Sequence, residues 1–203
     1  MKEYKVKILE KRPENWSEIE KAEINECVWL FDYKPYSFAQ LVFIKDEGFL
    51  VKITCLEKNP KAVHEGFYSS VYKDSCLEMF AIFDNTSDKY VNIEMNSIGS
   101  SLVAVGAERH DRTPIDKIIE KPFPVKAVKE EDKWSVEAFV SINDLNKIYG
   151  VNKEVFKKGY EFKGNFYKCG DETEIEHYLM WNRVETEKPD YHRPEYFGKF
   201  ILI

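Results

Sequence analysis

The sequence predicts an all-β fold: an antiparallel β-sandwich, jelly-roll-like, with one or two short helices. Three observations carry this prediction. Apolar residues recur with a period of 2 in short runs broken by charged residues, the mark of half-buried strands. Helical periodicity is confined to a few short stretches. Aromatics make up 15% of the 203 residues, with 14 Phe and 12 Tyr, and such rings suit strands and can also face a ligand. The chain length fits a single domain over residues 1–203, and no repeat or linker interrupts it.

Taken along the chain, residues 17–24 allow a helical turn or two. Phe49, Val51, Ile53 and Cys55 alternate against Leu50, Lys52 and Thr54, which predicts a strand with one buried face. The stretch Cys76 to Phe83 is apolar on both faces except at Glu78, so it predicts a central strand. In Tyr90 to Ile98, the positions Val91, Ile93 and Met95 point to the core and Asn92, Glu94 and Asn96 share the opposite face. Trp134, Val136, Ala138, Val140 and Ile142 form another alternating series. The segment Ser141-Ile-Asn-Asp-Leu-Asn-Lys-Ile-Tyr-Gly150 predicts one short helix, with Asn143 as a cap and Gly150 as its stop. Phe197 to Ile203 reads as a closing strand. Such an order argues for a sandwich, not for βαβ units.

Several function classes are excluded. The net charge is −6 with both signs mixed along the chain, so nucleic acid, which needs phosphate neutralisation, is not an expected partner. No apolar run reaches the length of a membrane span. The opening Met1-Lys-Glu-Tyr-Lys-Val-Lys-Ile-Leu-Glu10 has no apolar stretch or cleavage site of a secretory leader, which predicts a cytoplasmic protein. Cys27, Cys55, Cys76 and Cys169 lack CxxC spacing, so no zinc site is expected, and Cys55 and Cys76 are read as buried thiols. The glycine fingerprint of dinucleotide binding, the Walker A motif and HExxH are absent.

The candidate site residues are those that break the apolar pattern. Asn92, Glu94 and Asn96 are either a solvated row or a row of hydrogen-bonding groups facing a ligand. Glu78 is a charge inside a central strand, and a buried carboxylate is costly unless paired or hydrogen-bonded; it is either a ligand-binding acid or a structural ion pair. Pro189-Asp-Tyr-His-Arg-Pro194 reads as a loop in which Tyr191, His192 and Arg193 could wall a site. Trp181 and His177 are expected in the core and on a strand.

Six segments together resemble the family 9 carbohydrate-binding modules, in particular free-standing family 9-like proteins. They are Tyr72-Lys-Asp-Ser-Cys-Leu-Glu78, Asn92-Ile-Glu-Met-Asn96, Trp134-Ser-Val-Glu137, Asn165-Phe-Tyr-Lys-Cys-Gly-Asp171, His177-Tyr-Leu-Met-Trp181 and His192-Arg-Pro-Glu-Tyr-Phe-Gly198. Their order and spacing, over about residues 40–203, carry the resemblance. It implies a non-catalytic domain that clamps the terminal, reducing-end sugar of a gluco- or xylo-oligosaccharide, or of cellulose or xylan, between two aromatic rings. It also implies action alongside glycoside hydrolases. Carried over by position, Tyr72 and Tyr191 stand at the two clamp positions, Glu78 at the binding Glu, and Tyr167 at a polar position of the binding face. Both clamp positions hold Trp in the binding prototype, and Glu94 stands where that prototype carries Arg. With Asn96, His192 and Arg193, these residues make up the candidate carbohydrate site. No cofactor is expected, apart from a structural calcium ion that Asp84, Asn85 and Asp88 could hold, or else they form a plain polar turn.

This chemistry suits a sugar. Aromatic rings stack on pyranose C–H faces, and carboxylates accept hydroxyl hydrogens. Two other readings stay open: a glycoside hydrolase using Glu78 and Glu94 as its carboxylate pair, and a sandwich that has lost its sugar and serves protein interaction.

Overall fold

The computed structural model describes residues 1–203, 13 strands and one α-helix. The strands are β1 (Glu3–Leu9), β2 (Ala22–Glu23), β3 (Ser37–Ile44), β4 (Gly48–Cys55), β5 (Cys76–Ile82), β6 (Tyr90–Asn96), β7 (Ser101–Glu108), β8 (Asp111–Pro114), β9 (Val125–Lys129), β10 (Trp134–Ser141), β11 (Glu161–Gly170), β12 (His177–Met180) and β13 (Gly198–Leu202). The helix α1 spans Ile142–Tyr149. No helix is long and apolar enough to cross a membrane.

One continuous path of pairings, β8-β7-β6-β5-β11-β13-β1-β3-β4-β10-β9, curls into two facing layers, with β12 beside β11 and β2 beside β3. The fold turns on β1. Its first half, Glu3 to Val6, pairs in parallel with β13, and its second half, Lys7 to Leu9, pairs in parallel with β3. Every other pairing of strands is antiparallel, so the antiparallel sandwich that the sequence predicts is observed, with one parallel seam at β1. Parallel partners are far apart in sequence and leave no local turn signal.

The alternation along each strand builds the interior. Leu77, Met79 and Ala81 of β5, Val91, Ile93 and Met95 of β6, and Phe162 and Phe166 of β11 meet Phe43, Phe49, Val51, Ile53, Trp134 and Val136 in one buried cluster. Phe49 of β4 reaches across to Phe162 of the other layer at a centroid distance of 5.1 Å. Each such side chain contributes roughly 1.5–3 kcal/mol by leaving water, so the layers are held by the period-2 pattern itself.

The helix forms where predicted, but its cap is Ser141. The Ser141 hydroxyl accepts from the Asp144 amide at 3.0 Å, while Asn143 is exposed. Gly150 closes the helix at φ 75°, a conformation open to glycine. Residues 17–24 are not helical. They make a turn and then β2, and the Gln40 amide donates to the carbonyls of Trp16 and Ile19, fixing that turn.

Candidate functional site

The site lies on the outer face of the layer formed by β5, β6, β7 and β11. Opposite the core residues, β5 presents Cys76, Glu78 and Phe80, β6 presents Tyr90, Asn92, Glu94 and Asn96, and β11 presents Asn165, Tyr167 and Cys169. All ten are buried. The row is therefore not a solvated surface: loops fold over it. A second apolar cluster forms there from Trp29, Val71, Phe80, Tyr90, Tyr167, Met180 and Tyr191. It roofs most of the face and leaves one pocket of about 320 Å³, at the lower end of the ~300–1,000 Å³ typical of small-ligand sites.

The pocket is lined by Tyr72, Glu78, Glu94 and Leu102 on one side, by Arg109, His110 and Arg112 of the β7–β8 hairpin, by Cys169, Asp171 and Tyr178, and by the loop Pro189 to His192. Of the residues singled out in the sequence, Tyr72, Glu78, Glu94, Tyr191 and His192 come together here. Tyr191 is only 7% exposed. Its ring stacks on Tyr167 at 3.9 Å and 13°, and its hydroxyl lies 3.1 and 3.0 Å from the carbonyls of Lys168 and Leu179. It is a rigid, deep-set wall, and Tyr72 is the freer of the two rings. His192 packs on Phe80 at 4.9 Å, with Nδ1 2.8 Å from the Tyr90 hydroxyl.

Three predicted residues lie outside the pocket lining. Asn96 is a scaffold residue: its amide donates to the His64 carbonyl and the Asp74 carboxylate, tying down the loop that leads to Tyr72. Tyr167 is fully buried beneath Tyr191 and donates to that residue's carbonyl, so it supports the wall from behind. Arg193 turns outward to Asp190 at 2.8 Å and Glu195 at 3.8 Å. Asp84, named for calcium, accepts from the amide and hydroxyl of Thr86 in a turn.

Burial governs the electrostatics. Glu78 and Glu94 are direct cross-strand partners. Burial, then the neighbouring Glu94 charge, pushes Glu78 well above the usual carboxylate range. Burial raises Glu94 to about 7, against the pull of Arg112, and raises Asp171 to about 6. Burial, then Arg112 and Arg109, lowers His192 to about 2, so it is neutral. Cys76, Glu78 and Cys169 converge with their potential ligand atoms within 4.8 Å of one another. The Cys169 thiol donates to Glu78 at 2.9 Å, and burial raises both thiols, Cys76 to about 12. The three form a buried cluster under the pocket.

Sequence reasoning missed Arg109, His110, Arg112, Asp171, Tyr178 and Asp190. Arg112 matters most, because its Nη1 stands 3.8 Å from Glu94. A cation is thus present beside Glu94, delivered from the next hairpin. The signal for it was the shrinking outer face of β7, Leu102, Ala104 and Gly106, which opens room for a long side chain.

A β-sandwich with a pocket of buried carboxylates, cations and tyrosines on one sheet face defines a small-ligand-binding module. The profile of carbohydrate-binding family 9 matches residues 14–202, and the chain belongs to that family. No curated protein is similar enough in sequence to match it. Among solved structures, it is similar to a candidate carbohydrate-binding protein from Bacteroides uniformis, with TM-score 0.80 and 23% identity, covering 100% of this chain and 99% of that one. A carbohydrate-binding module of family 9 from Caldicellulosiruptor kristjanssonii in complex with glucose gives TM-score 0.70 at 14% identity, over 100% and 96% of the two chains. One from the same organism in complex with cellotriose gives 0.65 at 13%, over 99% and 93%. At these identities the likeness is one of fold.

Proposed function

We propose that this chain is a non-catalytic carbohydrate-binding module. In this reading its pocket holds the terminal sugar of a gluco- or xylo-oligosaccharide, with Tyr72 and Tyr191 against the ring faces and Glu78 and Glu94 at the hydroxyls. It would serve carbohydrate breakdown beside glycoside hydrolases. The observation that carries the reading is the combination, in one pocket, of two tyrosines with two buried, adjacent carboxylates. The glucose and cellotriose bound by the two family relatives agree with it. Glu78 and Glu94 sit side by side on one sheet face, so both meet a ligand from the same side. A glycosidase needs its carboxylates to flank the scissile bond, which disfavours hydrolysis.

Binding of a single terminal sugar in a pocket of this size is expected in the range of about 1 μM to 1 mM. Isothermal titration with glucose, cellobiose, xylobiose and their alditols tests this. The expected outcome is heat with the sugars, none with the alditols, and at least about tenfold loss in Tyr72→Ala with the fold retained. A folded protein that gives no heat with any sugar would overturn the reading.

A further inference from the structure

Three buried side-chain atoms have no hydrogen-bond partner in the protein: Oδ1 of Asn92, Oε2 of Glu94 and Nη1 of Arg112. They are neighbours. The Asn92 amide donates to Glu94 Oε1 at 3.0 Å, which fixes the carboxylate and leaves Oε2 free. Arg112 Nη1 lies 3.8 Å from Glu94 Oε1, too far for a hydrogen bond. Buried polar atoms are nearly always paired, so the unpaired ones of Glu94 and Arg112, both of which line the pocket, call for an account of what they meet.

The position of Arg112 is built into the hairpin. It pairs with Gly106 of β7, and the ladder shifts register between Gly106 and Glu108, a bulge of the sort that re-aims side chains beside sites. A Cβ at Gly106 would come 1.9 Å from the Asp111 carbonyl oxygen and 2.8 Å from Cγ of Arg112, so glycine there lets the β8 backbone and the arginine stem lie close over the strand. Arg112 Nε donates to the Arg109 carbonyl at 2.8 Å, which anchors the guanidinium with its other edge toward Glu94. A fixed donor and a fixed acceptor, both otherwise unpaired, line one wall of the pocket.

The geometry points to Arg112, acting with Glu94, as the pair that reads two adjacent hydroxyls of the bound sugar, and so to Arg112 as a specificity-determining residue of the pocket. One hydroxyl oxygen accepts from the guanidinium and its neighbour donates to the carboxylate, a match that uses the dual character of each hydroxyl in charge-assisted bonds. The pair thus selects a vicinal diol. This inference rests on the carbohydrate reading above.

The test is titration of wild type, Arg112→Met and Arg112→Lys with glucose, 2-deoxyglucose and 3-deoxyglucose, with folding followed by circular dichroism. The expected result is that wild type prefers glucose to one of the deoxy sugars. Arg112→Met should bind glucose about ten- to a hundredfold more weakly and bind that deoxy sugar no worse than wild type does. Lysine keeps the charge but not the fork, so Arg112→Lys should also lose the discrimination, and it carries the test if the Met variant melts early. Unchanged glucose affinity in either variant, or discrimination that survives in both, would overturn the inference and leave sugar binding standing. A wild type silent to every sugar would remove the carbohydrate reading itself, and this inference with it.

Discussion

Two clusters of buried charge lie on opposite faces of the same sheet, and they are satisfied very differently. On the inner face, Lys168 of β11 is fully buried between the layers. Its Nζ is 2.6 Å from His177 Nε2, 3.1 Å from the Cys169 carbonyl and 3.4 Å from Glu57. Glu57 in turn accepts from Trp134 at 2.9 Å and Ser75 at 3.0 Å. On the outer face, Glu94 and Arg112 stand 3.8 Å apart with polar atoms left over. The first cluster is complete within the protein, so its role is to hold the layers together. The second is incomplete, and a fold keeps such a cost where a ligand can complete it.

The largest expected effect breaks the inner cluster. Lys168→Met leaves Glu57 buried without its cation, which should cost about 3–5 kcal/mol and lower Tm by roughly 6–20 °C. Sugar affinity of the folded fraction should be unchanged, because Lys168 does not line the pocket. A variant that melts normally yet loses sugar would erase the contrast. The outer cluster should behave in the opposite way. Glu94→Gln removes a poorly paired buried charge, so Tm should hold or rise, while glucose affinity falls about tenfold with the lost charged acceptor. Calorimetry and titration on the two variants measure both halves.

A smaller effect separates the clusters by pH. Burial, then the Lys168 charge, lowers His177 from 6.5 to about 4. The unfolded chain therefore binds a proton that the folded one refuses, and the contribution of this group is present above pH 6.5 and lost as pH falls toward 4. Glu94 has the reverse sign. Raised to about 7 from 4.5, it favours the folded state below pH 4.5, and that contribution is lost as pH rises to about 7. In melts between pH 4 and 8, the deficit of His177→Gln should therefore shrink toward low pH. Glu94→Gln should gain on wild type toward neutral pH. Parallel curves for all three proteins would contradict these assignments.

Much of the fold was legible because it follows local alternation. The faces of β4, β5, β6 and β10 and the position of α1 all come from period and caps. The parallel seam at β1 was not legible, since its pairing with β3 and β13 depends on partners distant in sequence. At the site, Glu78 and Glu94 stood out as charges interrupting apolar strands. Whether Asn92, Glu94 and Asn96 met water could not be read from their alternation, because loops from elsewhere in the chain bury them. Arg109 and Arg112 were hidden in Glu108-Arg-His-Asp-Arg112, which has the composition of an ordinary solvated hairpin. Only the bulge and Gly106 bring Arg112 over the sheet.

The most direct test of sugar binding in this pocket is a crystal structure of the protein with cellobiose. One terminal glucose ring should sit in the pocket between Tyr72 and Tyr191, with its hydroxyls on Glu78, Glu94 and Arg112. A sugar seated elsewhere, such as the cleft formed by Phe67, Ile98 and Phe123, with the Glu94 pocket untouched, would contradict it.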